Sequence, residues 1–198
     1  YQEAQLGFLA GYAAVQEGYR KLGFCGGSTA PGMIRYGHGF IQGAEVAAKG
    51  LDLAPGAVEI VYWYAGQATP PEEIRSKMVE WFEGGTQVVF ACDNEMMVTQ
   101  SVISAAVYMG GKVIGADANR GSESLTVIGS VVKDYQGSVR HALLSLEENG
   151  GRWDADMAGL TQSMGLQRDG MGLITDTAEW RFRSFSVSEY QTLLEDLS

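Results

Sequence analysis

Residues 88–117 have the sequence VVFACDNEMMVTQSVISAAVYMGGKVIGAD, in which two short apolar runs flank a longer apolar stretch. The runs 88–92 and 113–116 are continuously apolar, as in parallel strands that are covered on both faces. The stretch 98–109 has the length and spacing of a helix, and Gly110-Gly111 ends it. The sequence therefore predicts a strand–helix–strand unit, whose crossover is right-handed in nearly all proteins.

The same alternation of strands and helices extends on the N-terminal side of this unit. Short apolar runs at 22–25 and 58–64 predict two more strands, and periodic stretches at 39–49 and 69–82 predict the helices that follow them. We therefore expect an α/β fold with a doubly wound parallel sheet. The expected order is flavodoxin-like, so that strand 22–25 lies between strands 58–64 and 88–92.

Further elements are predicted outside this core. A helix at 3–19 precedes the first strand, while a strand at 126–132 and a helix at 134–146 follow the last one. Residues 152–184 have only weak, turn-rich strand signals, and a last helix extends to about residue 197. The strand at 126–132 and the helix at 134–146 cannot bury their apolar faces against each other alone, so we expect both to pack against further elements.

Local signals predict where several of these elements begin. Thr69 and Ser186 each have a glutamate three residues later, the spacing of a capping box. Residues 28–36 are predicted to be a loop. Gly39 and Gly43 lie inside a predicted helix, so we interpret them as sites of close packing and not as a dinucleotide-binding motif.

Composition excludes several classes of function. The chain has 198 residues, 45% of them hydrophobic, which is enough for a packed core, and its net charge of −10 argues against a nucleic-acid partner or an anionic membrane surface. No run of 18 apolar residues predicts a membrane-spanning helix. Two cysteines are too few for a disulfide framework, and no motif indicates a metal or a cofactor, so we expect neither.

Polar and glycine-rich segments follow the four predicted strands, at 25–31, 64–71, 92–99 and 117–122. In an open parallel sheet, ligands bind beyond the carboxyl ends of the strands. The sequence therefore predicts a small-molecule site at this edge of the sheet.

An enzyme is the alternative that the residues themselves suggest. Residues 23–27 match a G-x-C-x-G nucleophile motif, and Asp117 and His141 follow Cys25 in the order of acid and base. The predicted loop after Cys25 weakens this hypothesis, because a nucleophile elbow leads directly into a helix. The competing interpretation is that Cys25 is a small buried apolar residue, and we expect a protein without catalysis.

Several segments together resemble the basic membrane protein family of substrate-binding lipoproteins, which includes purine nucleoside receptors of ABC importers. The similar segments, in family order, are EAQLGFLAGYAAV at 3–15, LGFCGGSTAPGMIRYGHGFIQG at 22–43, VEIVYWYAG at 58–66, TQVVFAC at 86–92, KVIGAD at 112–117, TVIGSVVK at 126–133, GMGL at 170–173 and WRFRSFSVSEYQTLLEDL at 180–197. The resemblance implies a two-lobed, type I periplasmic-binding fold with the ligand between the lobes.

The resemblance also implies a division of the chain. Residues 22–118 would form the core of the second lobe. Residues 1–20 and 121–149 would be remnants of the first lobe. Residues 150–198 would supply closing strands and a C-terminal helix on the second lobe.

Two positions match ligand-binding residues of the family. Asp117 matches an aspartate that accepts hydrogen bonds from ribose hydroxyls, and a carboxylate has the acceptor oxygens for that role. Lys133 matches the family lysine at the cleft. The resemblance implies a purine nucleoside as the default ligand.

Other ligand positions of the family carry different residues in this chain. Ala68, which follows Gly66, stands where nucleoside-binding members have an aromatic side chain that stacks on the base. Asp93 and Asn94 replace a glycine-rich turn, and Asn119 replaces a second aspartate. These five residues complete the ligand site that the resemblance implies.

The expected function is that of a solute-binding receptor that traps a small polar ligand for the membrane permease of an ABC importer. Such a receptor is extracytoplasmic and lipid-anchored, with the anchor outside this chain. A cytoplasmic ligand-sensing domain of a regulator, built on the same fold, remains an alternative.

Overall fold

The computed structural model describes residues 1–66, 68–93, 97–166 and 171–197. Strands and helices follow one another along the chain as α1 (Glu3–Gln16), β1 (Lys21–Gly26), α2 (Pro31–Gly50), β2 (Glu59–Tyr64), α3 (Pro71–Glu83), β3 (Val88–Cys92), α4 (Met97–Met109), β4 (Lys112–Asp117), β5 (Val127–Lys133), α5 (Tyr135–Glu148), β6 (Met171–Leu173) and α6 (Val187–Asp196). A short 3₁₀ turn, Gly121–Glu123, lies between β4 and β5.

One sheet contains all six strands in the order β2-β1-β3-β4-β5-β6. Strands β1 to β5 are parallel, and β6 pairs with β5 in the antiparallel direction. The predicted α/β class and the flavodoxin-like placement of β1 between β2 and β3 are confirmed. Continuous apolar sequence identified β3 and β4 because both faces of these central strands are covered.

Two apolar clusters cover the two faces of the sheet. On one face, α1 and α2 pack over the sheet, and Phe40 of α2 contacts Phe24 of β1 and Phe90 of β3. On the other face, α3 and α4 pack over the alternate strand residues, among them Val89 and Val113. The side chains of the central strand β3 therefore alternate between the two clusters, as the pleat of a strand requires, whereas the edge strand β2 is largely exposed.

Helices α1 and α2 approach each other so closely that their backbones touch. A Cβ atom on Gly39 would lie 1.9 Å from the carbonyl oxygen of Ala4, and one on Gly43 would lie 1.9 Å from that of Phe8. From the opposite side, a Cβ atom on Gly11 would lie 2.0 Å from the carbonyl oxygen of Phe40. The expectation that Gly39 and Gly43 serve close packing is confirmed.

Two predicted helix starts are wrong, and one is confirmed. Helix α2 begins at Pro31, inside the predicted loop 28–36, because proline is well suited to the first helical position. Helix α3 has Pro70 as its N-cap, and the Thr69 hydroxyl donates to the Ala65 carbonyl instead of capping the helix. The capping box at Ser186 is present as predicted.

Helix α1 and strand β5 pack with the elements of residues 22–118. Helix α1 packs along α2, and β5 pairs in parallel with β4, so the apolar residues of both are buried together with those of 22–118. Helix α5 has no buried residue. The expected division of the chain, with residues 1–20 and 121–149 as remnants of a first lobe, stays a prediction.

The C-terminal part of the chain covers the β5 edge of the sheet. Among the described residues of 152–184, β6 is the one strand, and it is three residues long. Helix α6 follows, and the buried side chains of Tyr190 and Leu193 join the core on the α1 side. Within the described ranges, no helix combines the length and apolar character needed to cross a membrane.

We expect Gly39→Ala to destabilise the protein by about 1–3 kcal/mol, because the added methyl group forces two helix backbones apart. Gly50→Ala is the matched control, since it lies at the end of the same helix and a Cβ atom there meets nothing within 4 Å. Thermal unfolding of both variants measures the difference. Equal stability of the two variants would contradict the backbone contact.

Candidate functional site

An open cavity of about 800 Å³ lies at the carboxyl ends of β3, β4 and β5. Four residues expected in the ligand site line it, namely Asp93, Asp117, Asn119 and Lys133. The parallel strands bring these residues together because each strand ends at the same edge of the sheet. Residues from β4, β5 and the loops that follow these strands form most of its wall.

Asp117 is the last residue of β4 and has an unusual environment. Its φ of +66° lies in the left-handed region that few non-glycine residues adopt. Its Oδ1 accepts a hydrogen bond of 2.8 Å from the Tyr36 hydroxyl and lies 2.8 Å from Lys133 Nζ. Its Oδ2 is buried and has no hydrogen-bond partner among the described residues.

Such an arrangement is costly for stability. A buried acceptor without a partner costs about 1–3 kcal/mol, and a left-handed aspartate adds backbone strain. Unpaired buried polar atoms and strained residues are concentrated at functional sites. Asp117 is therefore the residue of this cavity whose geometry most strongly indicates ligand binding.

Lys133 lies between two carboxylates and two aromatic rings. Its Nζ is 2.8 Å from Asp117 Oδ1 and 3.1 Å from Glu3 Oε1, and its side chain is only 7% exposed. The rings of Tyr1 and Tyr36 have their centroids 5.5 Å and 5.2 Å from the same nitrogen. Burial by itself lowers the pKa of Lys133, but the contacts with Asp117 and Glu3 raise it above its usual value, so the side chain is charged.

Glu3, in the first turn of α1, is a buried carboxylate that contacts two cations. Its Oε2 lies 2.8 Å from both Nε and Nη2 of Arg35, and its Oε1 contacts Lys133. Burial raises the pKa of Glu3, but its own backbone N–H, Arg35 and Lys133 together hold it below its usual 4.5. Glu3 is therefore ionised at neutral pH.

Tyr36 is fully buried and donates to Asp117. Burial and the charge of Asp117 raise the pKa of Tyr36 far above that of an ordinary phenol, so the hydroxyl keeps its proton. The sequence did not identify Tyr36 or Glu3 as site residues. A glutamate in a first helical turn and a tyrosine near a helix start have no pattern that separates them from ordinary surface and core residues.

Asp93 and Asn119 have their polar atoms occupied by local contacts. Asp93 Oδ2 accepts from the Val98 backbone N–H at 2.6 Å, and Oδ1 accepts from the Thr99 hydroxyl at 2.7 Å, so its carboxylate holds the start of α4. Asn119 Oδ1 accepts from the Gly121 backbone N–H at 3.0 Å, and its amide donates to Glu179.

Two of the other expected ligand residues, Gly66 and Ala68, are not brought to this cavity. Gly66 and Ala68 follow β2, the strand at the far edge of the sheet, and neither lines the cavity. Gly66 has a φ of +82°, and Ala68 is exposed. Asn94 lies outside the described residues. For these positions a ligand contact stays a prediction.

The arrangement gives no support to Cys25 as a nucleophile. Its side chain is fully buried, and burial, with a smaller effect from the charge of Asp93, raises the pKa of the thiol to about 12. The thiolate needed for attack is therefore scarce at neutral pH. His141 lies on the exposed surface of α5. Across the described part of the chain, no cluster of three His, Cys, Asp or Glu side chains has the geometry of a metal site.

Comparison with solved structures shows which proteins share this fold. The chain is similar in structure to an ABC transporter solute-binding protein from Aeropyrum pernix K1, with 19% identity and a TM-score of 0.72, over 99% of this chain and 61% of that one. A second such protein, from Conexibacter woesei DSM 14684, is 20% identical with a TM-score of 0.70, over 100% of this chain and 60% of that one.

A transcriptional activator of the comK gene from Bacillus halodurans is similar as well, with 16% identity and a TM-score of 0.71, over 98% of this chain and 60% of that one. No protein-family model and no curated protein matches the chain. The chain has the fold of type I solute-binding proteins and spans about 60% of the length of these similar proteins.

The charge of Glu3 predicts a pH dependence of stability. Since the folded-state pKa is below 4.5, the stability that Glu3 contributes is present above pH 4.5 and is lost as the pH falls through the folded-state pKa. We expect the cost of Glu3→Gln, measured by urea unfolding, to be larger at pH 7 than at pH 3. Glu72→Gln, an exposed glutamate in the first turn of α3, is the control and should cost little at either pH.

The burial of both cysteines predicts slow chemical modification. We expect Cys25 and Cys92 to react with iodoacetamide far more slowly in the native protein at pH 7.5 than in 8 M urea, since both are buried and their thiol pKa values are raised. Mass spectrometry of the alkylated peptides measures the two rates. Native labelling of Cys25 as fast as in the unfolded chain would revive the nucleophile hypothesis.

Proposed function

We propose that this chain is the ligand-binding part of a solute-binding receptor that delivers a small, uncharged, hydroxyl-bearing molecule to the permease of an ABC importer. The observation that carries the proposal is Asp117, a buried carboxylate at a strand end whose Oδ2 has no partner among the described residues. A ligand hydroxyl that donates to this oxygen would satisfy it.

The charges around Asp117 favour an uncharged ligand. Asp117 and Glu3 carry two negative charges, and Lys133 and Arg35 carry two positive charges in direct contact with them. This cluster is electrically balanced before any ligand binds. A cationic or anionic ligand would leave it with a net charge in a partly buried site, which is costly. A purine nucleoside remains the default ligand because of the family resemblance.

Exposed apolar side chains support a second lobe in the longer protein. Helix α5 has no buried residue, although it carries large apolar side chains. Those of Tyr135, Val139 and Leu143 are each more than half exposed. An amphipathic helix buries its apolar face when a partner is present. We propose that the other lobe covers this face and closes over the cavity, so that the ligand is trapped between the two. The lipid anchor and extracytoplasmic location belong to this proposal.

A sensor domain of a transcriptional regulator is the second candidate. The similarity to the comK gene activator over 98% of this chain favours it. The same cavity would serve either role, because both use ligand binding to stabilise one conformation. The natural sequence upstream of Tyr1 separates them, since a lipoprotein signal peptide supports the receptor and a helix-turn-helix supports the regulator.

A thermal-shift panel of nucleosides, nucleobases and sugars on the natural protein that contains this chain tests the ligand class. We expect stabilisation by a hydroxyl-bearing, uncharged compound, because binding to the native state raises the melting temperature. A panel in which only charged compounds stabilise the protein would contradict the proposal.

We expect Asp117→Asn to weaken binding of the best compound by about tenfold or more, because the charged acceptor is lost. Asn tolerates the left-handed conformation, so the fold should persist. Asp52→Asn is the matched control, since Asp52 has a φ of +51° and lies outside the cavity. Calorimetric titration measures both variants, and equal affinities would remove Asp117 from the site.

A further inference from the structure

We propose that Glu3 is a positioning residue of this site: it holds the Lys133 ammonium group at Asp117 Oδ1 and so leaves Oδ2 without a partner among the described residues until the ligand binds. This inference rests on the proposed function, in which Asp117 accepts a hydrogen bond from the ligand. Glu3 itself lines no part of the cavity and acts through Lys133.

The position of the Lys133 ammonium group is fixed by its contacts. A lysine ammonium group has three donors and a flexible stem, so with one carboxylate beside it the group is free to bridge both oxygens. Here a second carboxylate, Glu3, contacts the same nitrogen at 3.1 Å, while Asp117 Oδ1 contacts it at 2.8 Å. Two acceptors on different elements fix the nitrogen between them, and Asp117 Oδ2 receives no hydrogen bond from it.

The two carboxylate oxygens of Asp117 differ in their hydrogen-bond partners. Oδ1 already has two partners, Tyr36 and Lys133, which use both of its lone-pair positions. Oδ2 has none among the described residues. The acceptor capacity that remains for a ligand is therefore concentrated on one oxygen, and this asymmetry depends on where Lys133 is held.

Arg35 has a different role from Lys133. It contacts Glu3 through Oε2 only, and its side chain is half exposed, whereas Lys133 contacts Oε1 from the buried side. Arg35 lies on α2 and Glu3 on α1, so their ion pair also joins the two helices. A purely structural role for Glu3 would act through Arg35, and a positioning role would act through Lys133.

The experiment compares three variants of the natural protein, each of which removes one charge. Glu3→Gln removes the charge that faces Lys133, and Arg35→Gln removes the helix–helix ion pair and leaves Lys133 between Glu3 and Asp117. Glu17→Gln is the matched control on the other end of α1, where that carboxylate accepts from the backbone N–H groups of 183–185. Calorimetric titration with inosine measures affinity, and thermal unfolding measures stability for each variant.

We expect Glu3→Gln to weaken inosine binding by about tenfold, because a charge-assisted contact that orients the site is lost. Arg35→Gln should weaken binding less than Glu3→Gln, because Lys133 keeps both of its carboxylate contacts, and Glu17→Gln should stay within about twofold of the wild type, although both reduce stability. Unchanged affinity in Glu3→Gln, or an equal loss in Arg35→Gln, would overturn the proposal.

A second readout does not depend on the ligand. The ammonium signal of Lys133 in ¹⁵N-lysine-labelled protein, assigned by its absence in Lys133→Met, should shift in Glu3→Gln and stay in place in Glu17→Gln. An unchanged Lys133 signal in Glu3→Gln overturns the proposal whatever inosine does. If the wild type binds none of the compounds of the panel, the proposed function fails, and this signal alone decides whether Glu3 holds Lys133.

Discussion

The backbone contact between α1 and α2 is the constraint on which the site depends. Because glycines replace side chains at the crossing, the two helices lie close enough for Glu3 of α1 to contact Arg35 of α2. The same contact places Glu3 over the end of β5, where it meets Lys133. Larger residues at the crossing would separate the helices, and the four-charge cluster would lose its geometry.

The cluster shows how burial and charge are balanced in this fold. Removing charges from water is expensive, and one ion pair in a protein interior does not always recover the cost. Here each carboxylate has a cation and further donors, with the exception of a single oxygen of Asp117. Such a network holds its members in place, so Asp117 Oδ2, which has no partner among the described residues, is also well positioned.

Sequence patterns were sufficient for the sheet and for part of the site. Continuous apolar runs identified β1, β3 and β4, and their parallel arrangement placed Asp117 at the edge where ligands bind in open parallel sheets. The sequence did not identify Glu3 and Tyr36 as site residues. Their roles come from contacts with Lys133 and Asp117, which lie far away along the chain, and no local pattern encodes such contacts. Asp93 was expected to face the ligand, but a carboxylate close before a helix also satisfies the backbone N–H groups of the first turn, as it does here.

The left-handed backbone at position 117 has a practical consequence for protein engineering. At that φ, glycine and asparagine are tolerated, whereas β-branched and bulky residues introduce strain. A saturation library at this codon would therefore be dominated by poorly folded members. Libraries aimed at a new ligand are better directed to Gln136 and Ile174, which also line the cavity and where the backbone imposes no such restriction.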